Sequence, residues 1–466
     1  MANIGARIER IPDNKYNKGL LVKTGIGNTF DSMDIAMVAF VLPSIIGLWS
    51  LSSEQAGLLG SSVLIGYLFG AFFSGWLGDK IGRKKIIMWT LIIYSLATLV
   101  SAFSGAWEHF FWMRVIAGIG TGGESAIIGT GGESAIIAPY LAELIASKYR
   151  GKYIGALTGF HSFGYVAAAI IGYIVVPASE NGWRIALIIT ALPIFLVLYW
   201  RRALPESPRW LESSGRLEQA EQEMRKLEQG VEKYTGKLPE PAEIAPPQVT
   251  KGSFFTLWNK KYVKRTIMIY ILWFSVIFSY YGFFTWLPTL LYKQGFEISK
   301  SFLFSILIYV AQIPGYFSAA YLNDVLGRKK LICTYLGLAA ISAFCLSQAH
   351  TSSTILISGF FTSLFMVGSM AGMYTYTPEQ YPTIIRSTGT GSASAFGRIG
   401  GLLAPIYIGY MYPIFGFIGV FLMTTGVLLI GMVSTFILGT ETKAKMLDDL
   451  NDDNVDKDDS DLNKVV

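Results

Sequence analysis

Twelve apolar runs, each of roughly 18 or more residues with few charges, follow one another along this chain. They cover 23–49, 55–78, 86–104, 109–147, 153–178, 183–204, 265–292, 300–322, 330–348, 354–380, 386–411 and 415–439. In hydrocarbon the backbone polar groups have to be satisfied within the segment, and for a single apolar run only a helix does so. The sequence therefore predicts an all-α membrane protein with twelve transmembrane helices. Composition agrees: of 466 residues, 52% are hydrophobic and only 15% charged. The two cysteines, Cys333 and Cys345, share one apolar run and imply no disulfide framework. The first 22 residues lack a compact apolar core with a cleavage site, so no removable signal peptide is expected.

The net charge is +6, but its placement says more. Basic residues gather before the first run (Arg7, Arg10, Lys15, Lys18, Lys23) and between the second and third (Lys80, Arg83, Lys84, Lys85). They recur across 201–265 and at Arg328, Lys329 and Lys330, while the alternate loops near 50–54, 105–109, 178–182 and 349–353 carry almost none. The positive-inside rule then puts both termini in the cytoplasm of a multi-pass cell-membrane protein. Basic clusters at membrane edges speak for lipid rather than nucleic acid as their partner. The chain divides into a cytoplasmic segment (1–22), six helices (23–204), a cytoplasmic linker (205–264), six more helices (265–440) and an acidic cytoplasmic tail (441–466). In the linker, Leu217, Ala220, Met224, Leu227 and Val231 form a narrow apolar stripe, which predicts a cytosolic helix lying on the protein or the membrane. The tail holds eight aspartates between Asp448 and Asp461 and is expected to be a solvated, disordered end.

The two sets of six helices echo each other. "GDKIGRKK" (78–85) falls between runs two and three, and "NDVLGRKK" (323–330) between runs eight and nine. Glu143 precedes Arg150 by seven residues, and Glu379 precedes Arg386 by seven. A duplicated six-helix unit, giving two pseudo-symmetric bundles, is the pattern of secondary transporters, with the substrate site between the repeats near the midplane. On the two "D-x-x-G-R-K-K" loops the chain resembles the major facilitator superfamily. "PESPRWL" and "GTETK" look like its sugar-porter branch. "YTPEQYPTIIRSTGTG" and "FDSMDIAMVAFVLPSI" look like its metabolite and aromatic-acid/proton symporters, including nicotinate transporters, and its organic-ion transporters. The resemblance implies the major facilitator fold over about 20–443. It also implies a cytoplasmic charge network of Asp79, Arg83, Glu143, Arg150, Glu206, Asp324, Arg328, Glu379, Arg386 and Glu441. "GRKK" has two readings: an orientation signal, or part of a gate in which short ion pairs between the halves hold the cytoplasmic side shut. Exposed pairs are worth only about 0.2–1 kcal/mol each, which suits a latch that has to open.

Charges inside the membrane are rarer. Asp31 and Asp34 lie three apart on the first run and share a face that Asn28 extends. Counted from Val22, Asp31 is about 13 Å deep, so its carboxyl has to face a wet cavity, hold a partner or hold a proton. Proton coupling and a helix-packing hydrogen bond both fit. In the aromatic-acid symporters a matching "D-G-x-D" pair is important for transport; here Ser32 stands in place of the glycine. Arg114 resembles the family's arginine of the fourth helix, placed to influence the protonation of Asp31 or of Glu124, whose repeat copy is Glu133. Arg398 sits about 18 Å into the eleventh run among glycines and alanines, which leave room for a ligand. Its planar fork suits a carboxylate, and a permanent acidic partner is the other reading. Tyr280, Tyr281, Tyr309, Gln312 and Tyr374 are candidate wall residues and favour a flat or aromatic ligand. His161 is a candidate hydrogen-bond donor or pH sensor, or else a packing residue.

The nine residues "GTGGESAII" at 120–128 recur at 129–137. The first copy keeps the family's register to Arg114, the second its register to Pro139 and Glu143, so nine residues are surplus. A continuous helix over the fourth run would be about 58 Å long against a core of about 30 Å. A duplication that bulges or protrudes and a functional insertion are the two readings. The sequence as a whole predicts a monomeric alternating-access carrier of a small organic anion, a carboxylate with room for an aromatic one, driven by protons. A sugar:proton symporter is the alternative, and a transport-dead receptor or sensor the outlier. No nucleotide loop, metal-ligand spacing or nucleophile–base pattern points to an enzyme, a metal or a cofactor.

Overall fold

The computed structural model describes residues 4–124, 137–241 and 254–443. In chain order its helices are α1 (Ile4–Glu9), α2 (Lys15–Trp49), α3 (Ser53–Ile81), α4 (Arg83–Ser101), α5 (Trp107–Glu124), α6 (Ile137–Leu144), α7 (Ser147–Val175), α8 (Gly182–Ala191), α9 (Leu196–Ala203), α10 (Pro208–Ser213), α11 (Leu217–Thr235), α12 (Val263–Lys293), α13 (Ile298–Val310), α14 (Gln312–Leu326), α15 (Arg328–Ser347), α16 (Ser352–Glu379) and α17 (Thr383–Leu438). The described residues contain no strand.

Ten of the described helical stretches are long and apolar enough to cross a membrane. Two details reconcile ten with twelve. The last stretch joins two crossings at Gly416, whose φ of 61° breaks the helix. The fourth crossing, α5, carries Glu108, Arg114 and Glu124, so it fails on composition. The second copy of the nonapeptide, Glu133 included, lies outside the described residues apart from Ile137.

The first helix begins earlier than the apolar run suggests. Asn14 caps α2 by accepting from the Asn17 N–H at 2.9 Å, so the helix starts at Lys15 and runs 35 residues. Its polar first turns are covered by α1 and α11. The stripe Ala220, Met224, Leu227 and Val231 is buried and joins one apolar cluster with Ile4, Ile8 and Ile11. Leu217, at the start of α11, is 62% exposed and drops out of the stripe. The linker helix therefore lies on the protein.

Charge closes this strap. Arg7 forks Glu228 at 2.6 and 3.0 Å and also reaches Glu221, and Arg10 pairs with Glu228 as well. Glu9 accepts from the backbone and hydroxyl of Ser147 at 2.7 Å each, and from Arg209 at 3.0 Å. Burial works to raise the pKa of Glu228, but the hydrogen bonds from Arg7 and Arg10 outweigh it and hold it below the ordinary 4.5. Glu221 is held down by Arg225 and Arg7, and Glu9, against its burial, by Ser147 and Arg209. All three are lowered, so the strap is fully docked above the ordinary carboxylate pKa and loosens as pH falls below it. Amide-exchange protection of α1, corrected for the intrinsic rate, should hold from about pH 7 to about pH 5 and collapse below about pH 4. Protection that persists into that acid range would count against the ion-pair account.

The first and last six crossings meet mainly at the end away from the "GRKK" loops. A Cβ on Gly57 would stand 2.7 Å from the Pro405 carbonyl oxygen, and one on Gly409 2.5 Å from that of Ser53. Small residues let the two backbones touch. Ser61 donates to the Leu402 carbonyl at 2.7 Å, Lys293 to the Ser53 hydroxyl at 3.0 Å, and the rings of Phe40 and Phe302 meet at 5.3 Å.

Candidate substrate and coupling site

Three crossings converge on one buried ion pair. Arg114 of α5 places Nη2 at 2.8 Å from Asp34 Oδ2 and Nη1 at 3.1 Å from Oδ1; Nη2 also donates to the Asp34 carbonyl at 3.0 Å. Thr98 of α4 donates to Asp34 Oδ1 at 2.7 Å and accepts from Arg114 at 2.9 Å. Both charged side chains are fully buried. Glycines bring the helices this close. A Cβ on Gly118 would meet the Val63 carbonyl oxygen at 2.1 Å, one on Gly120 the Tyr94 nitrogen at 2.5 Å, and one on Gly122 the Tyr67 carbonyl oxygen at 2.3 Å. The first copy of "GTGGE" thus supplies the smooth face of α5 that α3 and α4 pack on.

The pairing adds Asp34 to what Arg114 acts on. Arg114 was expected to act on Asp31 or Glu124; its hydrogen bonds go to Asp34, on the face of α2 turned to α5. Asp31 is itself fully buried and lies, with Arg398, within electrostatic reach of Tyr281. Asn28 is turned to α7, where its amide donates to the Leu157 carbonyl at 2.9 Å. Ser32, in the glycine position of the family pattern, back-bonds to the Asn28 carbonyl at 2.8 Å. The side chain of Glu124 lies outside the described residues.

A cavity of about 50 Å³ lies between the halves, walled by Arg398, His161, Tyr280, Tyr281, Tyr374 and Tyr67, with Ser394 beside Arg398. His161 is the central residue of α7 and Tyr67 that of α3, so the cavity is near the midplane. The Arg398 guanidinium sits 4.9 Å above the Tyr67 ring. Among the described residues no carboxylate comes within ion-pair distance of it. Its glycines do not leave the room expected of them: Cβ atoms on Gly397 and Gly401 would meet Trp273 at 3.0 Å and Tyr281 at 2.7 Å, so α12 already fills that space. The enclosed volume is below that of a ~150 Å³ cavity that holds benzene, so a single-ring ligand reaches beyond the enclosed part or moves the walls. Tyr309 and Gln312 stand behind the wall, donating to the Phe284 carbonyl at 2.6 Å and accepting from Tyr280 at 3.5 Å. Sequence reasoning missed Tyr67, Trp273 and Ser394. Ser394 was reachable, being one helical turn from Arg398; Tyr67 and Trp273 are placed only by packing.

The "GRKK" loops repeat one construction. Gly82 and Gly327 precede α4 and α15 with φ of 115° and 93°. With no side chain there to cap the helix, a distant glutamate does it. Glu206 accepts from the Lys84 N–H at 3.0 Å, and Glu441 from the Arg328 N–H at 2.9 Å. A Cβ on either glycine would lie 2.7 Å from the capping carboxylate. Burial pushes Glu206 up, while the backbone hydrogen bonds that Glu441 accepts hold it down against its burial. Arg83 pairs with Glu143 at 3.2 Å and Arg328 with Glu379 at 3.3 Å. Each of these two ion pairs lies within one half. Arg150 donates to the Ala142 carbonyl and pairs loosely with Glu9 at 3.8 Å, and Arg386 donates to the Tyr381 carbonyl at 3.3 Å. The side chains of Asp79 and Asp324 lie outside the described residues.

The family described as sugar (and other) transporter matches residues 9–453. A niacin transporter of Acinetobacter baylyi is 38% identical over 96% of this chain and 99% of its own length. A candidate niacin/nicotinamide transporter of Bacillus subtilis is 36% identical over 92% of this chain and 97% of its own. Among solved structures, the partially occluded, inward-open xylose transporter of E. coli superposes with a TM-score of 0.73 over 93% of this chain and all of its own, at 20% identity.

Proposed function

Because the chain belongs to the sugar (and other) transporter family of the major facilitator superfamily, we propose that its cargo is a small aromatic carboxylate, carried with protons by alternating access. Membership makes it a multi-pass membrane transporter of small molecules and not an enzyme. The observation that carries the cargo reading is Arg398, a cation at the wall of an aromatic midplane cavity with no described carboxylate in ion-pair reach. A guanidinium there receives a carboxylate through two parallel N–H bonds, and the ring of the ligand lies against tyrosines. The relatives named for niacin support the same class. A sugar is served less well by Asn28, whose amide is already engaged by the Leu157 carbonyl.

Coupling runs through Asp34. A proton on its carboxyl removes the charge that holds Arg114, and the freed network lets α2 and α5 shift against each other. Asp31 is the second carboxyl on that face. The halves rock about the contacts at Gly57, Ser61 and Lys293, and the "GRKK" clusters brace each half. The protein works as a monomer in the cell membrane with both termini in the cytoplasm. The test is uptake into proteoliposomes with a pH gradient as the driving force, comparing radiolabelled pyridine-3-carboxylate with xylose. Uptake of the acid, uphill and abolished by a protonophore, is the expected result. Xylose uptake without acid uptake would reject the cargo, and acid uptake indifferent to the protonophore would reject the coupling.

A further inference from the structure

We infer that His161 reads a ring heteroatom of the cargo, so that the carrier favours a heteroaromatic acid over its carbocyclic counterpart; this rests on the carboxylate reading above. Besides tyrosine hydroxyls and the Trp273 indole, which donates to Thr377, the polar groups of the cavity wall are Arg398, Ser394 and His161. Arg398 and Ser394 stand one turn apart on α17 and share a face, so they address the same end of a ligand. His161 enters the cavity from α7, in the other half of the protein. A ligand seated between the halves therefore meets Arg398 on one side and the imidazole on the other. The imidazole is held in advance: it is 4% exposed, and its ring lies 5.2 Å from that of Tyr165. Tyr165 is fixed in turn by Tyr280, Phe284 and Tyr309 at 5.7, 6.1 and 5.8 Å. Such preorganisation spares a ligand the cost of ordering its partner.

The chemistry follows from the donor inventory. A neutral imidazole has one N–H donor and one acceptor nitrogen. A pyridine-type ring nitrogen accepts that N–H, whereas a ring C–H in its place leaves a buried donor unpaired. Sites built around a hydrogen bond reject the analogue lacking it far more strongly than apolar pockets reject a change of size.

The test is competition binding to the purified full-length protein with pyridine-3-carboxylate and benzoate, which differ by one N for one C–H. The parent should prefer the pyridine acid roughly tenfold or more. His161→Phe keeps a ring but no nitrogen, and the preference should fall to about one, through loss on the pyridine acid. His161→Gln keeps a donor and should retain most of the preference. An unchanged ratio in His161→Phe overturns the inference. A parent that binds both acids equally overturns it too, and leaves the carboxylate reading standing. A parent that binds neither acid brings down the carboxylate reading and the inference with it.

Discussion

Arg114→Ala should cost about 3–5 kcal/mol of folding stability, the penalty for leaving one member of a buried ion pair behind. Asp34 and Arg114 are fully buried and joined by two parallel N–H···O bonds of 2.8 and 3.1 Å. Without the guanidinium, the Asp34 carboxylate keeps only the Thr98 hydroxyl from that network. The protein then has to unfold locally, admit water or protonate Asp34, and each costs free energy. Replacing both charges with apolar groups, as in Asp34→Leu with Arg114→Met, should recover most of the loss, since the charges were expensive to bury in the first place. Thermal and denaturant unfolding in detergent measures both. The transport readout separates a structural from a coupling role: Asp34→Asn should lose uphill accumulation yet keep exchange of labelled for unlabelled substrate. Parent-like stability in Arg114→Ala would reject the energetic argument. Asp34→Asn with full accumulation and Asp31→Asn with none would move the coupling to Asp31.

The fold was legible because its strongest signals are local. Length and apolarity place nearly every crossing, and the doubled "D-x-x-G-R-K-K" loops announce the duplication. Legibility failed where one residue's behaviour depended on a distant one. Asp31 and Asp34 look alike in sequence; only the crossing of α2 over α5 hands Arg114 to Asp34. The seven-residue spacing of Glu143 and Arg150 marks the duplication but not the partner: Glu143 pairs with Arg83, 60 positions away. Glu206 reads as one more member of a charge cluster, while its work is to cap α4, whose own cap position is the side-chain-less Gly82. The glycines around Arg398 signalled space, and space there was, but α12 occupies it with Trp273 and Tyr281. A glycine in a membrane helix announces close approach without saying whether a ligand or another helix approaches. The same ambiguity covers the nonapeptide, whose first copy is explained by packing of Gly120 and Gly122.

Arg398→Ala should weaken binding of the acid by roughly tenfold to a hundredfold, because a charge-assisted hydrogen bond is worth about 1.5–3 kcal/mol. Arg398→Lys keeps the charge and loses the fork, so its loss should be smaller but clear. The neutral amide analogue should bind the parent poorly and lose little more on Arg398→Ala, since it never made the ion pair. That crossed design distinguishes two roles. A guanidinium that contacts the cargo penalises the acid alone. One that holds the cavity together over Tyr67 penalises acid and amide in equal proportion and lowers the unfolding temperature as well. The described residues offer Arg398 no carboxylate in ion-pair reach, and Asp34 is taken by Arg114. A partly buried cation whose nearest company is a ring face is free to take an anionic ligand from the cavity. Equal proportional losses for acid and amide, or a sugar that outcompetes both on the parent, would remove Arg398 from substrate recognition.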